Sequence, residues 1–224
     1  MAINKKQTSL LTKVVLVFIS IAFVGVYIPG LFAGSSGSSG STTAVDPLEG
    51  IAQQYAGALD YYNGLLASEP TSYTVLLNLG YTYHDWAAEV QQTTASASGA
   101  DIPLWVAASS YYERALAEVP GDPGVRTDMA VSYFYGGDSL SAIENVEAVM
   151  AATPEFATAY FNAGVFYQAT GRDADALRVL KRGVELDPEA PTVATANGWI
   201  AELEADGVVP SVQSITSIEE TTTE

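Results

Sequence analysis

Apolar and small side chains between Ala157 and Pro188 recur with the period of a helix, in two runs parted by a turn. In AYFNAGVFYQAT (159–170), Tyr160, Ala163, Gly164 and Tyr167 fall at i, i+3, i+4 and i+7, one face of an α-helix. In DADALRVLKRGVEL (173–186), Ala176, Leu180 and Gly183 form a second face, with charges on the other side. Small residues let two helices approach closely, and the bulky residues opposite fill the groove between them. Gly171 suits the turn after the first helix, and Asp173 is placed to cap the second. Asp187-Pro188 ends the pair, because a residue before proline avoids the α region.

The pair is one copy of a repeat. Pro120, Pro154 and Pro188 lie 34 residues apart, and the same step relates Ala108, Ala142 and Ala176. It also relates Tyr112, Val146 and Leu180, then Tyr133 and Tyr167, then Ala130, Gly164 and Gly198. A step of 50 brings Ala58, Tyr62, Pro70, Gly80 and Tyr83 into these columns. The surplus of 16 residues falls at 87–102, AAEVQQTTASASGADI, and reads as an insertion. Residues 53–206 thus form an all-α repeat domain. An orphan helix at 53–67 precedes three helix pairs, and a closing helix from Pro191 to Ala205 carries Glu202, Glu204 and Asp206 on a polar outer face.

The N-terminal pattern is different. Val14 to Ala33 is twenty residues without a charge, enough to cross a bilayer as a helix. Lys5, Lys6 and Lys13 flank it on one side only, which places residues 1–13 in the cytoplasm and everything after residue 33 outside. A cleaved signal peptide is the competing reading, though Leu31-Phe32-Ala33 lacks the small residue expected two before a cleavage point. Either way the repeat domain is exported. The expected localisation is the cell membrane, single-pass, with an extracytoplasmic domain, in a bacterium or archaeon. Residues 34–52, which begin GSSGSSGSTTA, read as a flexible linker. Residues 207–224, polar and Thr-rich, read as a disordered acidic tail.

Charge and composition then narrow the function. No acid precedes Asp46; from there the chain holds all 26 acids and six of the nine bases, a formal balance of −20. Such a domain repels phosphate backbones, so a nucleic-acid partner is excluded, while a basic or amphipathic peptide is allowed. There is no cysteine and one histidine, His84, which removes thiolate and paired-histidine metal sites. His84 lies beside Asp85, but neighbours on a helix point about 100° apart and do not pair as base and orienter. The acids at Asp173 and Asp175, and at Glu185, Asp187 and Glu189, lack the glycine and terminal glutamate of a calcium loop. No nucleophile elbow or phosphate-binding loop occurs. Neither enzymatic activity nor a metal or cofactor is expected.

The repeat columns resemble the tetratricopeptide repeat, a 34-residue helix–turn–helix unit that stacks into a right-handed superhelix. The copy Ala157–Pro188 carries the resemblance best, followed by Pro123–Pro154 and Tyr73–Pro120. Arg126 departs from it, at a position where the family favours a bulky apolar residue. The resemblance implies that the first helix of each pair lines a concave groove that takes peptide. By column this groove holds Thr74, Leu77, Asn78, Tyr81 and His84, then Thr127, Val131, Phe134 and Tyr135, then Phe161, Asn162, Val165 and Gln168. Asn78 and Asn162 match the asparagine that bonds the ligand backbone in peptide-binding members. No groove column carries the lysine or arginine with which chaperone-binding members clamp a terminal carboxylate. Tyr81, Phe134 and Phe161, on three successive first helices, are the expected anchors for one ligand. The function expected is a membrane-anchored scaffold for protein–protein interaction, in envelope assembly or a chaperone-like role. The alternative is a self-assembling membrane-surface protein, a homo-oligomer.

Overall fold

The computed structural model describes residues 47–93 and 99–211, and these form eight α-helices. They are α1 (Pro47–Ser68), α2 (Tyr73–Thr93), α3 (Ile102–Glu118), α4 (Pro123–Tyr135), α5 (Ser139–Ala152), α6 (Ala157–Ala169), α7 (Asp173–Leu186) and α8 (Val193–Ala205). Each packs chiefly on its chain neighbours, most extensively within the pairs α2–α3, α4–α5 and α6–α7. The first helices α4 and α6 also touch directly. This is the nearest-neighbour stacking of a helical repeat.

The 34-residue step is visible in the bonds. Gly137 and Gly171 take φ of +94° and +76°, and the following amides close the same turn. Asp138 N donates to Tyr133 O at 2.8 Å, and Arg172 N to Tyr167 O at 2.8 Å. After α8, Gly207 (φ +78°) repeats it, with Val208 N donating to Leu203 O at 3.0 Å. The tyrosine column does the same with side chains. Tyr133 donates its hydroxyl to Glu113, and Tyr167 donates to Glu147 at 2.6 Å. Each bond fastens a first helix to the second helix of the pair before it.

Helix starts use local chemistry. Asp122 accepts from Gly124 N and Val125 N ahead of α4, and Asp138 accepts from Ser141 N ahead of α5. Asp173, expected as a cap, is instead the first residue of α7, where no side chain caps the helix. It and Asp175 lie in the first turn, where negative charge complements the helix dipole.

Complementary volume explains the columns. A Cβ on Gly80 would stand 2.6 Å from Tyr112 Cδ1, and one on Gly164 would stand 2.6 Å from Leu180 Cγ. Ala130 and Val146 occupy the corresponding positions of the middle pair, both buried. Glycine faces the larger partners and alanine the smaller one. One core joins α4 through α8, a smaller one joins α3 to α4, and Tyr133 packs against both.

Three expected boundaries move. Residues 47–52, assigned to the linker, open α1, where Pro47 suits the first turn and Ile51 is buried. Residues 87–93 of the insertion are two further turns of α2, with Ala87, Val90 and Gln91 buried. Residues 207–211, assigned to the tail, lie back on α7: Ser211 N donates to Ala174 O at 3.0 Å and Ser211 Oγ to Asp175 Oδ1 at 2.6 Å. The charge-free run 14–33, the rest of the linker and the rest of the tail lie outside the described residues. Among the described residues, no helix is long and apolar enough to cross a membrane.

Candidate functional site

The groove residues divide into two sets. Thr127, Phe161, Asn162, Val165 and Gln168 are buried. Phe161 fills the space left by Gly183, where a Cβ would meet its ring at 3.0 Å, so it is a packing residue and not the third anchor. The cause is that α6 is enclosed along its length, buried continuously from Ala159 to Gln168. Thr74, Leu77, Asn78, Tyr81, His84, Val131, Phe134 and Tyr135 keep solvent exposure. The open part of the groove therefore lies on α2 and α4. Asn78 and Asn162 behave alike: each donates an amide hydrogen to the carbonyl four residues back, Thr74 O at 2.7 Å and Thr158 O at 3.0 Å.

A ladder of rings runs along this face. Tyr81 meets Tyr112 edge to face at 5.6 Å, His84 meets Tyr112 at 6.2 Å and Trp105 at 4.8 Å, and Trp105 stacks on Tyr135 at 5.1 Å. Tyr135 meets Phe134 at 5.2 Å, and Phe134 stacks on Phe166 at 4.5 Å. Contacts of this length are the favourable range for aromatic pairs. Phe134 thus joins α4 to the buried centre of α6. Tyr81, 40% exposed, is the ring at the open end.

The charges on this face are negative. Asp128 is on α4, and burial, with the charges of Asp122 and Asp85, pushes its carboxyl up to about 7. Burial also raises Asp85. Tyr81 is pushed up to about 12 by burial and then by Asp128 and Asp122. Burial lowers His84 to about 4, so the imidazole is neutral near pH 7. Its Nδ1 lies 3.3 Å from Ser132 Oγ, whose own hydrogen goes to Asp128 O at 2.9 Å. Ser132 must then accept from His84 Nδ1–H, which fixes the tautomer. His84 is held by Ser132 and does not pair with Asp85.

Asp85, Asp128, Tyr112 and Trp105 were not among the groove residues inferred from the sequence. The two acids share a face with residues that were: Asp85 is four after Tyr81, and Asp128 is three before Val131. Trp105 had no such signal, because α3 supplies it from a second helix.

The tetratricopeptide repeat family model matches residues 127–191, from α4 to just past α7. No curated protein matches the sequence. Among solved structures, a crystal structure of MamA is similar with a TM-score of 0.56 and 19% identity, over 73% of this chain and 86% of that one. A second MamA crystal structure gives 0.52 and 18%, over 70% and 81%. At these identities the likeness concerns the fold. Residues 127–191 thus match the tetratricopeptide repeat, and the described domain as a whole shares the fold of a stacked helical repeat.

Proposed function

We propose that this chain is a non-enzymatic scaffold that binds a segment of a partner protein across the open face of α2 and α4. The observation that carries this reading is Tyr81. It is a large ring left 40% exposed at the end of a ring ladder, on a face where acids gather. Exposed aromatic residues at the centre of a concave surface are the usual energetic anchors of interfaces. Residues 14–33 would tether the scaffold to the cell membrane, with the repeat domain outside, in envelope assembly or a chaperone-like role. Crosslinking in intact cells with mass spectrometry would identify the partner. Tyr81→Ala should weaken capture by about 1–3 kcal/mol while the melting curve stays in place. Unchanged capture would remove the reading. Protease added outside spheroplasts should degrade the domain and spare the N-terminal stub, and a fully protected domain would remove the tether.

Self-assembly is the second reading, favoured by one observation. Among its described side chains, helix α1 buries only Ile51, and it leaves Tyr61 63% exposed. A dimer in sedimentation velocity that Tyr61→Glu converts to monomer would support it.

A further inference from the structure

We infer that the outer side of α5 is the docking face for a segment of this same chain, residues 212–218, which seat their apolar side chains on Leu140. The path towards it is already laid. After α8 the chain turns at Gly207 (φ +78°), and Val208 packs against the larger core. Residues 209–211 then reach the first turns of α7. There Ser211 N donates to Ala174 O at 3.0 Å, Ser211 Oγ donates to Asp175 Oδ1 at 2.6 Å, and Arg178 Nε donates to Ser211 Oγ at 3.0 Å. Ala174, Asp175 and Arg178 are all half-buried. One repeat of 34 residues earlier, the same three columns hold Leu140, Ser141 and Glu144 on α5. Here Leu140 is 69% exposed, and Glu144 is exposed too. The face that holds Ser211 on α7 is open on α5. The next member of the column, Val106 on α3, is 53% exposed.

The sequence and the reach select the occupant. Val209, Val212, Ile215 and Ile218 recur every third residue. In an extended, polyproline-like segment this spacing sets them on one side, about 9 Å apart. Val209, the described member of the row, is 76% exposed, so the bonds of Ser211 fix the segment by its polar groups and leave the row free. Residues 212–218 carry no charge and meet no repulsion from the acids of this domain. Seven residues at about 3.3 Å each span about 23 Å. Helix α5 is two helix spacings from α7, about 16–20 Å, so Leu140 is within reach; Val106, two spacings further, is not. Because Ser211 already holds one end, the segment faces Leu140 at the effective concentration of a short linker, on the order of millimolar. A second copy has to compete with that. The contact covers an apolar side chain away from the α2–α4 face and leaves partner binding to the groove.

Disulfide trapping tests this in the full chain, which has no cysteine of its own. Leu140→Cys with Ile215→Cys should form a disulfide within one chain, seen as a faster-migrating monomer on a non-reducing gel. Val106→Cys with Ile215→Cys should form it about tenfold more slowly, because the segment does not span that distance. Adding Val212→Ser and Ile218→Ser to the first pair should slow trapping about tenfold through the lost apolar contact. Leu140 and Val106 are exposed, so melting curves should match the parent and show the variants folded. No disulfide, equal rates at Leu140 and Val106, or a rate indifferent to Val212→Ser and Ile218→Ser would overturn the contact. A disulfide-linked dimer in place of the monomer would give the face to a second copy and overturn it as well. Capture at Tyr81 and trapping at Leu140 can each fail alone, so the scaffold reading is tested separately.

Discussion

Helix α6 buries ten consecutive residues, while α1, 22 residues long against 13, buries one among its described side chains. Composition accounts for part of this, since α6 carries no charge and α1 carries Glu49 and Asp60. The rest is position in the stack. An interior helix of a solenoid is covered by neighbours on both sides, so even its groove-facing residues become core. Among the described residues, α1 packs chiefly on one neighbour, α2. What holds α1 is local: Tyr55 stacks on Trp86 at 5.8 Å, and its hydroxyl donates to Glu89 at 2.9 Å. Stability should therefore be concentrated in α4 to α8, and the open face of α2 and α4 lies where the packed end meets the looser one.

The sharpest way to break this comparison is to remove a ring from each end. Phe166→Ala, which empties a fully buried site beneath Phe134, should cost about 3–5 kcal/mol. Tyr61→Ala on α1 should change stability by about 0.5 kcal/mol or less. Urea melts of the two variants decide it; equal losses would mean that α1 is as integral as α6.

The same substitution should change sign along one column. Gly164→Ala drives a methyl into Leu180 and should destabilise by about 1–3 kcal/mol. Gly198→Ala, in the same column of α8, meets nothing within 4 Å. There the helix should gain about 0.5–1 kcal/mol from the lost flexibility of glycine. Thermal melts read both. A stabilised Gly164→Ala would contradict the close approach of α6 and α7.

A smaller effect lies in the acidity of the groove. Asp128 holds its proton up to about pH 7 when folded, against about 3.9 for an unfolded aspartate. The folded state then binds more protons between these values, so this group costs stability as pH rises through that window. His84 acts oppositely: folded it titrates near 4, below the unfolded value of about 6.5, so its contribution is lost as pH falls from about 6.5 towards 4. The two offset each other in acid, and Asp128 dominates near neutrality. Partial exposure of Asp128 limits its effect to about 1–2 kcal/mol, so Asp128→Asn should melt about 2–6 °C higher at pH 8. That gain should vanish near pH 4, where the variant also exposes the His84 loss. An Asn variant less stable at pH 8 would show that the carboxylate has a counter-ion.

The repeat was legible because packing is periodic. The proline, alanine and tyrosine columns fixed helix pairs, their turns and their order, and the Gly80–Tyr112 and Gly164–Leu180 contacts sit on those columns. The residues placed in the groove keep exposure on α2 and on part of α4. On α6 they are buried, because sequence columns carry the family's average exposure and not how far neighbouring helices close over one unit. Phe161 and Val165 occupy groove columns yet are interior. Phe134 was set apart from the packing residue Tyr133, but its stacking on Phe166 gives it a structural share too, and loss of either ring should cost stability. Tyr112 was legible as a packing column, whereas Asp128 was not singled out because no repeat column marks it.

The central claim is that the open α2–α4 face takes a partner, and a photoreactive amino acid placed in living cells tests it most directly. At Tyr81 it should capture a defined partner protein. At Leu140 on α5, 69% exposed and away from the groove, it should capture none. Capture at Leu140 but not at Tyr81 would contradict the account.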